Sequence, residues 1–309
     1  MGEGSTNSNE RYCPACCQRS SHSRGQKNNF QLLSCQTCAT LYTATNPNMN
    51  QAPDYDSYYT AENLTVPTFI NSILDEIVAT FEPYRKNNRL LDVGCGAGTF
   101  LEASARAGWE ATGVEVSRTA AEHVSGRGFE VFCGELEKAG YPDEHFDVVI
   151  LSEVLEHVPD PRALLEASAR VLRSGGLLWG TTPHGRGISA RFLGLGWSTI
   201  CPPEHLQLFS VSGIRKLFTG VGLSNIKVAT HGTNPFEIIH GVRRRVTLAA
   251  AETGGATGGT FDRVESSYQL NESLRGGAAG RLVKAMLNNL LNATRIGDSL
   301  KIHAEKPSR

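Results

Sequence analysis

Leu91-Asp92-Val93-Gly94-Cys95-Gly96-Ala97-Gly98 places three glycines directly after the short apolar run RLLDV (89–93) and ahead of the helical stretch TFLEASARAG. Glycine permits a tight turn and lets the backbone come close to a ligand. Outward from this turn the chain alternates strand and helix signals. ATGVEV (111–116), FEVFCGE (129–135), FDVVILS (146–152) and GLLWGTTP (176–183) read as strands, with helices through TAAEHV and ALLEASARVLR. Continuous apolar runs fit strands buried on both faces. Their alternation with helices of about ten residues predicts right-handed βαβ units and a doubly wound, mostly parallel sheet. Ligands in such folds lie beyond the carboxyl ends of the strands. Asp92 precedes the glycines, and Glu115 ends the next strand, where a carboxylate can accept hydrogen bonds from both hydroxyls of a ribose. Glu135 ends the third strand, where it or Leu136 can border an adenine. The alternative for these acids is to cap the turns and helices that follow them.

The runs LLDVGCGAGTF, GVEVS, FDVVILSEVLEHVPDP and RVLRSGGLLWGTTP together resemble the class I S-adenosylmethionine (SAM)-dependent methyltransferases over residues 89–183. The resemblance implies a seven-stranded Rossmann-like sheet and SAM as cofactor. Gly94, Gly96 and Gly98 then line its methionine part, Asp92 helps hold its amino group, Glu115 takes the ribose, and Glu135 and Leu136 flank the adenine, with Ser152 at the end of the fourth strand. A dinucleotide dehydrogenase would show G-x-G-x-x-G and has no use for SEVLEHV.

In that segment Glu153 and His157 share a face if it is helical, with Glu156 beside them. It is similar to the E-x-x-E-H cluster of the ubiquinone-biosynthesis O-methyltransferases, which implies a divalent cation at Glu153, Glu156 and His157; a general base or a helix-start feature are the other readings. His184 directly follows the fifth strand. Pro202-Pro203-Glu204-His205-Leu206-Gln207-Leu208-Phe209-Ser210 resembles a P-x-E-H-x-x-x-F-S segment of methyltransferases acting on sugars and other small metabolites, and an analogous Glu-His pair is catalytic in zinc-bearing sugar C-methyltransferases. A Glu204-oriented His205 is a sensible base, since histidine titrates near neutral pH; capping the helix near Ser210 is the structural alternative.

Cys13-x-x-Cys16 and Cys35-x-x-Cys38, separated by eighteen residues, have the spacing of a tetrahedral zinc site. A ribbon over residues 1–45 is too small to fold on apolar burial alone, so metal would supply the stability. Cys17 reads as a spare thiol, and disulfides are the alternative. Residues 46–65 form a polar connector whose Tyr55, Tyr58 and Tyr59 suit a helix or flap, or equally an amphipathic contact between the ribbon and the main domain. The methyltransferase domain then spans 66–309. It opens with a helical stripe, Phe69 to Phe81, stopping near Pro83, and closes with LSNIKVAT (223–230) and an antiparallel SLKIHAEK (299–306). Between these strands lies an insert at about 235–297, too long for a hairpin. It holds Arg243-Arg244-Arg245, a flexible AETGGATGGT (251–260) and an amphipathic helix through Leu282, Met286, Leu287, Leu290 and Leu291, which covers the substrate opening or packs on a second copy of the chain.

The 309 residues carry 30 Lys+Arg against 31 Asp+Glu, and only four of those cations fall in the first fifty residues. That balance argues against a phosphate-binding surface. No apolar run reaches the roughly 18 residues of a membrane helix, and MGEGSTNSNE lacks the regions of a secretory signal, so a cytoplasmic protein is expected. The small-molecule reading is SAM-dependent methylation, most simply of a hydroxyl on a metabolite or sugar. Its alternatives are a ribbon that docks the enzyme on RNA or a protein, and a non-catalytic SAM-binding protein.

Overall fold

Phe146–Leu151 are all buried because they sit in the middle of a sheet covered on both sides. In a computed structural model, which describes residues 11–48, 50–60, 64–67, 69–241 and 278–308, seven strands form this sheet in the order β10-β11-β8-β7-β4-β5-β6. They are β4 (Arg89–Val93), β5 (Glu110–Glu115), β6 (Glu130–Cys133), β7 (Phe146–Ser152), β8 (Leu172–Pro183), β10 (Ser224–His231) and β11 (Ser299–Glu305). The pairs of β4 with β5 and β7, β5 with β6, and β7 with β8 are parallel, whereas β11 runs antiparallel between β8 and β10. Apart from residues 153–157, strand and helix assignments over 89–183 and the antiparallel last strand follow the sequence reading.

Alternate residues of a strand face opposite sides. Leu91, Val93, Val149 and Leu151 therefore pack with Leu164, Leu165, Ile214 and Leu217 of α5 (Pro161–Val171) and α7 (Val211–Gly220). Leu90, Val148, Ile150 and Trp179 pack on the other face with Leu74 and Val78 of α2 (Phe69–Ala79) and Phe100 and Ala103 of α3 (Thr99–Arg106). Strand order reverses at β4, which places the ligand crevice at its carboxyl end.

A second sheet has the order β1-β2-β3-β9. Strands β1 (Ser21–Lys27) and β2 (Phe30–Cys35) join through Asn28 and Asn29, both at positive φ as a two-residue hairpin requires. Strand β3 (Leu41–Thr43) pairs antiparallel with β9 (Gln207–Leu208), which belongs to the main domain. The ribbon thus borrows its fourth strand from the segment that carries His205. The C-terminal helix Ala278–Thr294 buries Leu291 and exposes Leu282, Met286 and Leu290. Arg243–Arg245 and the glycine-rich run 251–260 lie outside the described residues. Among the described residues no helix is long and apolar enough to cross a membrane.

Candidate active site

Gly94, Gly96 and Gly98 have φ of +70°, +50° and +76°, conformations that L side chains rarely adopt. The turn is also crowded: a Cβ on Gly94 would lie 2.7 Å from Val154 Cγ2, and one on Gly96 2.9 Å from the Tyr59 hydroxyl. Glu115 stands behind it, 4% exposed. Its Oε2 accepts the Gly96 N–H and its Oε1 the Ser117 N–H, both at 2.9 Å. The carboxylate therefore braces the turn, as the capping alternative foresaw. Each oxygen keeps a second lone pair for a ribose hydroxyl. Asp92 is buried beside it. Burial and the charge of Glu115 push its carboxyl up to about 8. After β6, Glu135 pairs with Lys138 at 2.8 Å on the surface, while Leu136 is 1% exposed in the main core.

The connector lies against this turn. Helix α1 (Tyr55–Tyr58) is capped by Asp54, which accepts the Asp56 and Ser57 N–H groups. Asp56 Oδ1 accepts the Ser117 hydroxyl at 2.9 Å and the Thr119 N–H at 3.3 Å. Tyr55 meets His157 edge-on with ring centroids 6.3 Å apart.

The acceptor side departs from the expected geometry in two respects. Residues 153–157 form a turn, not a helix, because Glu153 takes φ of +55°. Glu153 is exposed, Glu156 is wholly buried, and the shared helical face does not exist. What converges is Glu156, His157 and His205, whose ligand atoms lie within 4.8 Å of one another. Nor does Glu204 orient His205. Its side chain is exposed, while the Thr199 carbonyl lies 2.6 Å from His205 Nδ1 and the Glu204 carbonyl 2.9 Å from His157 Nδ1. Both carbonyls require Nδ1–H donors, which assigns the acceptor lone pair of each ring to Nε2. The rings stand edge to face with centroids 4.7 Å apart. Burial lowers the His157 pKa and keeps the ring neutral. Thr182 donates to Glu156 Oε2 at 2.9 Å. Glu156 Oε1 accepts no hydrogen bond among the described residues and lies 4.0 Å from His157 Nε2. Burial first, then the charge of Glu153, pushes Glu156 well up; a proton or a cation is favoured there.

His184 is not part of this cluster. It is 2% exposed, its Nδ1 bonds the Gly297 carbonyl at 2.8 Å, and burial pushes it down to about 4. Its main chain bridges to Phe209, so it packs the end of β8. Ser152, at the end of β7, pairs its hydroxyl with Thr181 at 3.2 Å.

A family model described as a methyltransferase domain matches residues 66–228, more than half of the chain. The chain belongs to the SAM-dependent methyltransferases. The methyltransferase is 32% identical over 163 residues to the ubiquinone biosynthesis O-methyltransferase of Idiomarina loihiensis, covering 48% of this chain and 67% of that protein. It is 38% identical over 190 residues to the protein of the same name from Thiobacillus denitrificans, covering 59% and 72%. A crystal structure of a SAM-dependent methyltransferase from Archaeoglobus fulgidus shares the fold, with a TM-score of 0.51, 18% identity and coverage of 82% of this chain and all of that one.

The methyltransferase has four thiols that can hold zinc. Cys13 and Cys38 bring their sulfurs to 3.5 Å, as do Cys16 and Cys35, and all four lie within 4.8 Å of one another. Four thiolates around zinc at about 2.3 Å stand about 3.8 Å apart, so the donor set fits a closed structural site. None of the cysteines is in a disulfide, and Cys17 is exposed outside the set.

The buried Asp92 makes a stability prediction for the ligand-free methyltransferase. Its folded pKa of about 8 lies above the unfolded value. The folded state thus keeps a proton that the unfolded chain releases, and the penalty grows as pH rises from about 4 to about 8. Asp92→Asn is expected to raise Tm least at about pH 5 and most at about pH 8, while weakening SAM binding. Melting curves across that range check it; a gain independent of pH would show that Asp92 ionisation costs the fold nothing.

Proposed function

We propose that this enzyme moves the SAM methyl group to an oxygen of a small-molecule acceptor, with His205 taking the hydroxyl proton. The observation that carries the reading is the Glu156–His157–His205 cluster, whose two Nδ1 atoms are tied to backbone carbonyls, which makes Nε2 the proton-accepting nitrogen of each neutral ring. The names of the relatives, ubiquinone biosynthesis O-methyltransferases, support oxygen as the acceptor atom.

When bound, SAM would supply an electrophilic methyl on a sulfonium, and as the new O–CH3 bond formed the C–S bond would break, its electron pair staying on the sulfur of the departing S-adenosylhomocysteine. Holding acceptor and methyl at near-attack distance contributes up to about 7–11 kcal/mol. The turn at 94–98 and Glu115 hold the methyl donor. As the oxygen attacks, its proton passes to His205 Nε2. His184 has no assigned step in this scheme.

A second reading has its own observation. The unpartnered, buried Glu156 Oε1 facing two imidazoles also suits a divalent cation held by Glu156, His157 and His205, with His205 in the place that the sequence suggested for Glu153. Each ring then gives Nε2 to the metal while Nδ1–H is fixed by a carbonyl, the usual outer-shell arrangement. Such an ion would polarise an acceptor hydroxyl.

Purified enzyme with SAM and a panel of catechols, phenols and sugars tests both, with S-adenosylhomocysteine release and product mass as readouts. An O-methylated product supports the proposal, and its loss on chelation with return on added magnesium selects the metal reading. Products methylated only on nitrogen or carbon would overturn it.

A further inference from the structure

The ribbon is not a tethered module. Beyond the β3–β9 pairing, the Thr43 N–H donates to the Leu206 carbonyl at 2.9 Å, and the Ser210 hydroxyl to the carbonyl of Cys38, one of the four thiol residues. From the β1–β2 hairpin, Lys27 Nζ donates to the Trp197 carbonyl at 2.9 Å and Asn28 Nδ2 to the Pro202 carbonyl at 2.8 Å. Leu32 and Leu41 share a buried cluster with Trp197, Ile200 and Leu208. The segment 197–210, with His205 in its middle, is thus held along its length by the ribbon.

Two side chains extend that hold to the other histidine. Arg11, two residues before Cys13, donates to Thr43 Oγ1 at 2.8 Å, to Gln207 Oε1 at 2.9 Å and to the Pro159 carbonyl at 3.1 Å. Gln207, 1% exposed, donates from Nε2 to the carbonyls of Leu155 at 2.7 Å and Val158 at 2.8 Å, on either side of Glu156 and His157. Removing one partner of a buried, fully used amide exposes the full cost of the groups left unpaired. Nothing comparable ties the ribbon to the glycine turn or to Glu115 among the described residues.

We propose that the four-cysteine knuckle, acting through Arg11 and Gln207 as positioning residues, sets the registry of His205 against His157 and Glu156, so that metal at the knuckle controls the acceptor half of the site and not the cofactor half. The inference rests on the functional reading only for the role of His205. The placement itself is testable without an acceptor.

The test uses the full chain in three forms: zinc-loaded, zinc-stripped by chelation, and Arg11→Ala with its zinc retained. SAM affinity is measured by calorimetry, backbone amide exchange by mass spectrometry, and the His205 Cε1 proton by NMR, with the exposed His123 as control. In the stripped and Arg11→Ala forms, amides of 197–210 are expected to exchange at least about tenfold faster, as for local opening. The His205 resonance moves and that of His123 does not, while SAM affinity stays within about twofold and 89–115 keeps its protection. Unchanged exchange and an unmoved His205 resonance in Arg11→Ala overturn the proposal and leave the methyltransferase reading intact. Loss of SAM binding and of protection at 89–115 together in that variant also overturns it, since the ribbon would then serve the whole fold. If stripping unfolds the chain outright, Arg11→Ala decides alone.

Discussion

His205→Ala is expected to lower turnover by about 10²–10⁴-fold, the usual contribution of a positioned general base, with SAM affinity within about twofold of the parent. The separation follows from where the residue sits. His205 stands beside His157 and Glu156, whereas the cofactor turn and Glu115 are braced by Gly96 and Ser117 without it. Its Nδ1 is committed to the Thr199 carbonyl, so removing the ring deletes the proposed proton acceptor but leaves the glycine turn untouched. Single-turnover rates and SAM calorimetry on the same preparation make the comparison. Full turnover in the variant would transfer the base role to His157, whose ring burial keeps neutral.

The second large effect is on the cofactor. If Glu115 takes the ribose as proposed, Glu115→Ala removes two charge-assisted hydrogen bonds, each of about 1.5–3 kcal/mol, and SAM affinity is expected to fall by about 10²-fold or more. The variant also strips the Gly96 and Ser117 N–H groups of their acceptor, so Tm falls as well. Glu115→Gln separates the two effects. It can still accept one of the N–H bonds but lacks the charge, so it retains more stability than affinity. An alanine variant that binds SAM as tightly as the parent places the ribose away from Glu115.

Much of the glycine turn was legible because its signals are local. Positive φ at 94, 96 and 98 can be met cheaply only by glycine, and the run DVGCGAG states that requirement in consecutive residues. The zinc knuckles are equally local, since two C-x-x-C turns present their thiols by spacing alone. The Glu156–His157–His205 cluster was legible as residue types and not as geometry. Glu156, His157 and His205 were all singled out, but Glu153 was grouped with them on the assumption of a helix that its left-handed φ breaks. Glu204 and His205 are neighbours in an irregular segment, where adjacency does not fix a shared direction, and the Thr199 carbonyl, not Glu204, holds His205 Nδ1. Thr182, Thr199, Arg11 and Gln207 carry no motif.

The sequence by itself determined the strand–helix alternation, the glycine turn with its two acids, and the cysteine set, because each depends on contacts within a few residues or on chemistry that one residue type supplies. Only the tertiary structure decided which groups gather around His205. The Glu204 carbonyl that orients His157 is 47 residues away, and the Arg11–Gln207 bond spans 196 residues. Such pairings exist only after the seven-stranded sheet has brought the end of β7 to the segment 197–210 and the ribbon has closed over it. Sequence spacing carries no information about them, since long-range contacts are set by the packing of whole elements and not by local conformational preference.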